Sequence, residues 1–231
     1  MGDRYWLWLG ARLLVAFVII GWAVSYLHGG SEEKDFQQTL DAMKQVHSFR
    51  VVSSDGTTPQ HRQMFWEVDC ERGIVHDNWS VNDDTRDPHE IMRHEAISIG
   101  TNVYDRKSDG SWSGAHFGAG GSSAEFLCQQ LAQGQDTNVL PQIATMIRRG
   151  IIQKGDKKTV NGVRCREYLV TLKGGSNGLE HDTVCIGLAD HLPYEMTVDW
   201  LHSRESFSDY NTRISFNLPE VALQNTSATS N

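Results

Sequence analysis

Two histidine–glutamate pairs, His89-Glu90 and His94-Glu95, are the residues whose types could do hydrolytic chemistry in this chain. A zinc-protease helix carries H-E-x-x-H, which sets its two histidines on one helical face. His89 and His94 are five apart, in a segment that alternates like a strand, so they read as solvated side chains and no metal site is expected. Ten histidines leave Ser-His-Asp combinations open by composition. The G-x-S-x-G match at Gly174 to Gly178 lies in the turn-rich KGGSNGLE between two strand-like runs and so makes no strand-to-helix elbow for a nucleophilic serine, and no glycine-rich loop opens a helix toward a phosphate. The sequence therefore predicts a protein that is not an enzyme and needs no cofactor.

Cys70, Cys128, Cys165 and Cys185 offer chemistry of another kind. An even number without C-x-x-C spacing suits disulfides better than a metal or redox centre. Cys165 and Cys185 fall in two strand-like runs, VRCREYLVTL and HDTVCIGL, separated by the turn-rich KGGSNGLE. Facing each other across a hairpin that closes near Gly175, they would be close enough to bond. That register sets Tyr168 against Asp182 and Val170 against Glu180. Cys70 with Cys128 is then the second pair, and four buried free thiols are the alternative.

Disulfides need an oxidising compartment, and the N-terminus supplies a route to one. Leu13 to Leu27 (LLVAFVIIGWAVSYL) is uncharged and apolar, with Arg4 and Arg12 before it and Glu32 and Glu33 after it, so the rest of the chain is expected on the far side of the membrane. Its fifteen residues match a signal-peptide core, with Ala23-Val24-Ser25 as a small-residue cleavage site. Extended back through Trp6 to Leu9, the run reaches the roughly 20 residues that span a bilayer, and Arg12 can snorkel. The expected organisation is a signal-anchor or signal peptide over residues 1–30, one domain over 31–223 and a polar tail over 224–231. The expected location is extracytoplasmic or periplasmic, at the inner membrane through the N-terminal segment. At 231 residues and 39% hydrophobic, the chain can bury one sizeable core. A net charge of −8, with no basic cluster beyond Lys154, Lys157 and Lys158, excludes a nucleic-acid footprint. Asn78-Trp79-Ser80 and Asn225-Thr226-Ser227 match the glycosylation acceptor pattern, which matters only in a eukaryotic host.

The elements that must position these residues follow from periodicity. Phe36, Leu40, Met43 and Val46 recur at helical spacing and predict an amphipathic helix over Ser31 to Val46. In RQMFWEVDC, Met64, Trp66, Val68 and Cys70 share one face of a half-buried strand. Gly73 turns the chain, and Val75, Trp79 and Val81 continue the apolar side. IMRHEAISIGTNVYDRKSDGSW predicts two strands joined at Gly100-Thr101-Asn102, with a further turn at Ser108-Asp109-Gly110. After GAGGSS, Phe126, Leu127 and Leu131 mark a helix. Asp136/Thr137, Pro141, Ile143, Ile147 and Gly150 mark another, from cap to stop. Strands then resume at Gly162 to Leu172, Asp182 to Leu188 and Tyr194 to Arg204. FSDYNTRISFNLPE, Phe207 to Glu220, alternates Ile214, Phe216 and Leu218 against Arg213, Ser215 and Asn217, and predicts a regular final strand. The fold class is α+β, one large antiparallel sheet with helices gathered on one side.

Met64, Trp66, Trp79, Met92, Trp112, Phe126, Met146, Met196, Val198 and Trp200 are an adaptable set of large apolar side chains, suited to lining an irregular pocket or to packing helices on the sheet. The ordered series HSFR, GTNVYDR, GVRCREYLV, HLPYEMTVDW and SDYN…ISFNLP, from roughly Asp35 to Leu223, resembles the LolA/LppX-like superfamily of exported lipoprotein carriers. The resemblance implies a single curved, half-barrel sheet whose concave face is covered by helices and leaves an apolar cavity, lined by the ten residues above. It also implies that Phe207 to Pro219 closes one margin of that sheet, whose edge would otherwise invite pairing. The implied role is a non-catalytic binder or carrier of a lipid, an acyl chain or a lipidated protein segment near the membrane. The alternative is an envelope sensor or interaction module of the same fold, with a membrane protein as partner.

Overall fold

The computed structural model of the chain describes residues 31–55, 60–83, 91–113, 116–117, 124–137, 140–175, 178–199, 202–220 and 222. The run Leu13 to Leu27, the pair His89-Glu90, Trp200 and the tail over 224–231 lie outside the described residues. Among the described residues no helix is long and apolar enough to cross a membrane. Helix α1 covers residues 31–43 and ends three residues before the predicted Val46. Its stripe is the expected one, with Phe36 and Met43 buried and Leu40 packed beside them.

The chain then runs β1 (Ser48–Asp55), β2 (Gln60–Asp69), β3 (Ile74–Asp83), β4 (Ile91–Ile99), β5 (Asn102–Asp105) and β6 (His116–Phe117). Two helices follow, α2 (Ala124–Ala132) and α3 (Ile143–Arg149). The last run is β7 (Gly150–Val160), β8 (Val163–Gly175), β9 (Gly178–Gly187), β10 (Pro193–Val198) and β11 (Ser203–Ser208). All the strands join one 11-stranded antiparallel sheet in the order β6-β5-β4-β3-β2-β1-β11-β10-β9-β8-β7. Every neighbour in that order is also a neighbour in sequence except β1 and β11. The sheet is thus two meanders, an N-terminal arm from β1 to β6 and a C-terminal arm from β7 to β11, joined at the centre. Its margins β6 and β7 do not pair, so the curved sheet stays open, and α2 and α3 lie in the connection from one margin to the other.

Register decides which side chains meet the helices, because cross-strand partners share a face. One row holds Phe49, Val68, Val75, Ser98 and Val103, and the next holds Phe207, Val51, Trp66, Asp77 and Ala96. On the C-terminal arm the same face carries Tyr168, Val170, Val184 and Met196. These pack with Phe36, Met43, Leu127, Leu131, Ile143 and Met146 of the helices into one core. Each fully buried phenylalanine, Phe36, Phe49 and Phe207, contributes roughly 1.5–3 kcal/mol by area. Asp35 fastens α1 over the C-terminal arm, accepting from the Tyr168 hydroxyl at 2.6 Å and pairing with Lys154 at 2.7 Å. Burial works against the Asp35 carboxylate, but those two partners outweigh it and hold its pKa below the usual value. Gly150 ends α3 with an extended backbone, and its need is space: a Cβ there would lie 2.5 Å from the Met146 carbonyl oxygen and 2.9 Å from Val170.

Four expectations are corrected. The predicted strand Tyr194 to Arg204 is two strands, β10 and β11, because His202 takes a left-handed φ of 47° and turns the chain without a glycine. Phe207 to Glu220 is not a final strand. Asp209 and Asn211 both take φ of 55°, β11 stops at Ser208, and the alternating residues after it lie outside the sheet. That stretch therefore closes no margin; β11 itself lies mid-sheet, beside β1. The β8–β9 register is shifted by two residues: Tyr168 faces Val184 and Val170 faces Asp182, while Cys165 faces Gly187 and Cys185 faces Glu167. The shift replaces Asp182 by Val184 opposite Tyr168, which lets apolar groups meet under α1. Finally, Pro141 precedes α3 rather than sitting in its first turn.

The predicted disulfides both form. Cys165–Cys185 joins same-face diagonal neighbours of β8 and β9 with Cα atoms 5.5 Å apart. Cys70–Cys128 ties the β2–β3 turn to α2.

Candidate ligand-binding face

The helix-bearing face changes character along the strands. Near α1 and α2 it is closed, with Phe49 and Val68 at 0% exposure. Toward the other strand ends the rows become Glu205, Ser53, Met64, Trp79 and His94, and then Ser203, Asp55, Arg62, Val81 and Met92. Met64, Trp66 and Trp79 are only half-buried, and Met92 is 41% exposed. Met196 and Val198 of β10 continue these rows into the C-terminal arm, facing Glu205 and Ser203. Six of the ten predicted cavity residues, Met64, Trp66, Trp79, Met92, Met196 and Val198, thus lie on one face of one sheet.

The other four are placed differently. Met146 is a fully packed core residue of α3, at 1% exposure. Phe126 is on α2 but is 40% exposed, while Ala124, Leu127 and Leu131 supply that helix's buried side. Trp112 follows β5 in an isolated bridge with Arg106. Trp200 lies outside the described residues.

A recess of about 230 Å³ opens on this face in the N-terminal arm, lined by Val75, Asp77, His94, Ala96, Ser98, Val103 and Asp105. Trp66 and Trp79 border it, since Trp66 pairs with Asp77 and Trp79 with His94. The His94 ring stacks on Trp79 at 5.3 Å, and the Arg62 guanidinium lies 5.3 Å from the same indole. His94 and Glu95 therefore serve the sheet: Glu95 is on the back face, between His76 at 3.3 Å and Arg106 at 2.7 Å. No group of three or more His, Cys, Asp or Glu side chains among the described residues could hold a metal ion.

Sequence reasoning missed the carboxyl groups on this face. Asp77, Asp182 and Glu205 all share it, and burial pushes each pKa up, to about 6 for Asp182 and about 7 for Glu205. After burial, the negative charges of Glu180 and Asp199 raise Asp182 further, and Asp182 does the same to Glu205. The signal was phase. Asp182 alternates in step with Val184 and Ile186, and Glu205 with Phe207, so each acid occupies a position where the pattern calls for an apolar residue.

The face and sheet together define an LppX-like fold: an open, curved antiparallel sheet with helices packed on one side. The solved structure of LprF from Mycobacterium bovis superposes with a TM-score of 0.60 at 13% identity, covering 82% of this chain and 97% of that one. The Mycobacterium tuberculosis lipoprotein LppX superposes with a TM-score of 0.52 at 14% identity, covering 80% of this chain and 98% of that one. No protein-family profile and no curated protein matches the sequence. The likeness is therefore one of fold.

Proposed function

We propose that this protein is an exported, non-catalytic binder or carrier that holds a lipid, an acyl chain or a lipidated protein segment against the helix-bearing face of its sheet, close to the membrane. The carrying observation is the register. It aligns Met64, Trp66, Trp79, Met92, Met196 and Val198 on one face and leaves the N-terminal-arm members of that set half-buried beside a recess. A closed core would bury them; a surface without a ligand has little use for two indoles and two thioethers in one patch. Two disulfides and an apolar N-terminal run support an extracytoplasmic location. The likeness to LppX, a lipoprotein, supports it further.

Native mass spectrometry of the protein purified from membranes tests the proposal. Adducts with the masses of lipids or acylated peptides are expected, and Trp79→Ala with Met64→Ala should lower their occupancy severalfold. An adduct-free protein that instead co-purifies with a membrane protein through another surface would replace the carrier with an interaction module.

A further inference from the structure

The centre of the helix-bearing face holds hydrogen-bond acceptors that the fold leaves unused. Glu205 faces Ser53 on one side and Met196 on the other, and Asp182 faces Val198 and Val170. The two acids are thus on the same side of the sheet, with β10 and its apolar pair Met196 and Val198 between them. Ser53 is 1% exposed and its Oγ has no hydrogen-bond partner among the described residues. Asp182 is 4% exposed and its Oδ1 likewise has none. Buried polar groups are normally paired, because an unmet acceptor costs roughly 1–3 kcal/mol. A fold that leaves a serine hydroxyl and one carboxylate oxygen unmet on the face that carries a second carboxyl offers acceptors to a donor from outside.

The charge around them selects which donor. Asp182 is raised by burial and by the charges of Glu180 and Asp199, against which stand only the His181 charge and a hydrogen bond from the Asp199 backbone, and Glu205 feels Asp182. Across β10 the neighbours Val170, Val184, Met196 and Val198 carry no charge. Arg204, in β11, points its guanidinium to Glu195 on the back face, and Arg62, two strands away, lies over Trp79. A phosphate or carboxylate head would add a like charge to this spot. An ammonium brings three donors and the opposite charge in one compact group.

We infer that Asp182, Glu205 and Ser53 form the head-group subsite of the binding face, and that its ligand is an amphiphile whose polar end is an ammonium. This rests on the carrier reading above and adds the class of ligand. The apolar chain then runs from Glu205 and Ser53 along their own row to Met64 and Trp79.

Three probes with one chain length and different ends test this: decylamine, 1-decanol and decanoate, titrated at pH 8 with tryptophan fluorescence and calorimetry as readouts. The expected order of affinity is amine, alcohol, carboxylate, with at least a tenfold gap between the first and last. In Asp182→Asn with Glu205→Gln the three should fall within about threefold of one another. Glu71→Gln, an exposed acid elsewhere, should leave the gap intact, which separates a subsite from the general attraction of an acidic protein. Decanoate binding as well as decylamine, or a gap lost equally in Glu71→Gln, overturns the subsite and leaves the carrier reading standing. Binding of none of the three probes overturns both.

Discussion

The two arms of the sheet carry opposite solutions to the same problem. In the C-terminal arm the helix-bearing side of β8 and β9 is sealed, with Tyr168, Val170, Val184 and Ile186 at 3% exposure or less, and α1 is fastened above it through Asp35. In the N-terminal arm the same side is sealed only at one end, and Met64, Trp79 and Met92 are left half-open. The back faces are similar by contrast, each laced by charges: Arg50, Glu67, His76, Glu95 and Arg106 in one arm, Lys158, Glu195 and Arg204 in the other. The difference is therefore confined to the side that faces the helices. One arm supplies rigidity and the other supplies adaptable apolar surface, with Glu205 at their seam and Asp182 two strands into the closed arm.

The disulfides break this comparison most strongly. Cys70–Cys128 spans 58 residues and holds helix α2 to the open arm; Cys165–Cys185 spans 20 and lies within the closed one. Chain entropy assigns about 4 kcal/mol to the first closure and about 3 kcal/mol to the second. Cys70→Ser with Cys128→Ser should thus lower the unfolding midpoint more than Cys165→Ser with Cys185→Ser in a urea titration. It should also raise exposure of the N-terminal arm to hydrogen exchange, whereas the second pair should act locally on β8 and β9. An equal or reversed ranking would mean that α2 is held chiefly by Leu127 and Leu131.

Methionine truncation sharpens the contrast at a smaller scale. Met196→Ala removes a side chain that is 7% exposed in the closed arm and should cost about 2–3 kcal/mol of stability. Met92→Ala, at 41% exposure in the open arm, should cost less than about 0.5 kcal/mol. For ligand affinity the ranking should narrow, because Met92 lies one row over, diagonal to Trp79, at the side of the row that a bound chain would cover. Measuring unfolding and decylamine binding on the same two variants separates packing from binding.

The sequence made some of this legible and hid the rest for identifiable reasons. Strict alternation exposed β2 and β3, and it put Met64, Trp66 and Trp79 on one side correctly, since period two survives any neighbour. It missed β7, whose Gly155 and lysines 154, 157 and 158 look like a loop; they are the charged, irregular sequence of a margin strand that must not recruit another chain. It fused β10 with β11 because His202 makes a turn that composition assigns to glycine or asparagine. It drew a strand through Ile214 and Phe216, where alternation has another cause: Ile214 is buried off the sheet and Phe216 lies under the Arg72 guanidinium at 4.9 Å. Residue type announced an apolar site but did not assign Asp77, Asp182 and Glu205 to it, because the β8–β9 register and the central β1–β11 pairing are not written in residue type.

A pH dependence smaller than the cost of truncating Met196 is also expected, and it tests whether Asp182 and Glu205 are held against their preference for water. Asp182 and Glu205 keep their protons in the folded chain to about pH 6 and about pH 7, above the ordinary carboxyl range reached on unfolding. Between roughly pH 4 and pH 7 the folded state therefore binds more protons than the unfolded one, and stability must fall as pH rises through that window and level off above it. Glu195 has the opposite sign. Burial opposes its charge, but Lys158 and Arg204 prevail and hold its pKa below the usual value, so its contribution is present above the ordinary carboxyl range and is lost in acid. The melting temperature should accordingly peak on the acid side of neutrality. Asp182→Asn with Glu205→Gln should remove the alkaline limb, a gain of about 1–2 kcal/mol at pH 8, and leave the acid limb in place. Asp77→Asn, in the open arm, should gain less, because Asp77 is only part-buried and His94, His76 and Arg62 already offset its charge. An alkaline limb that persists in the double variant would mean that these carboxyls are already satisfied, and the head-group subsite would lose its physical basis.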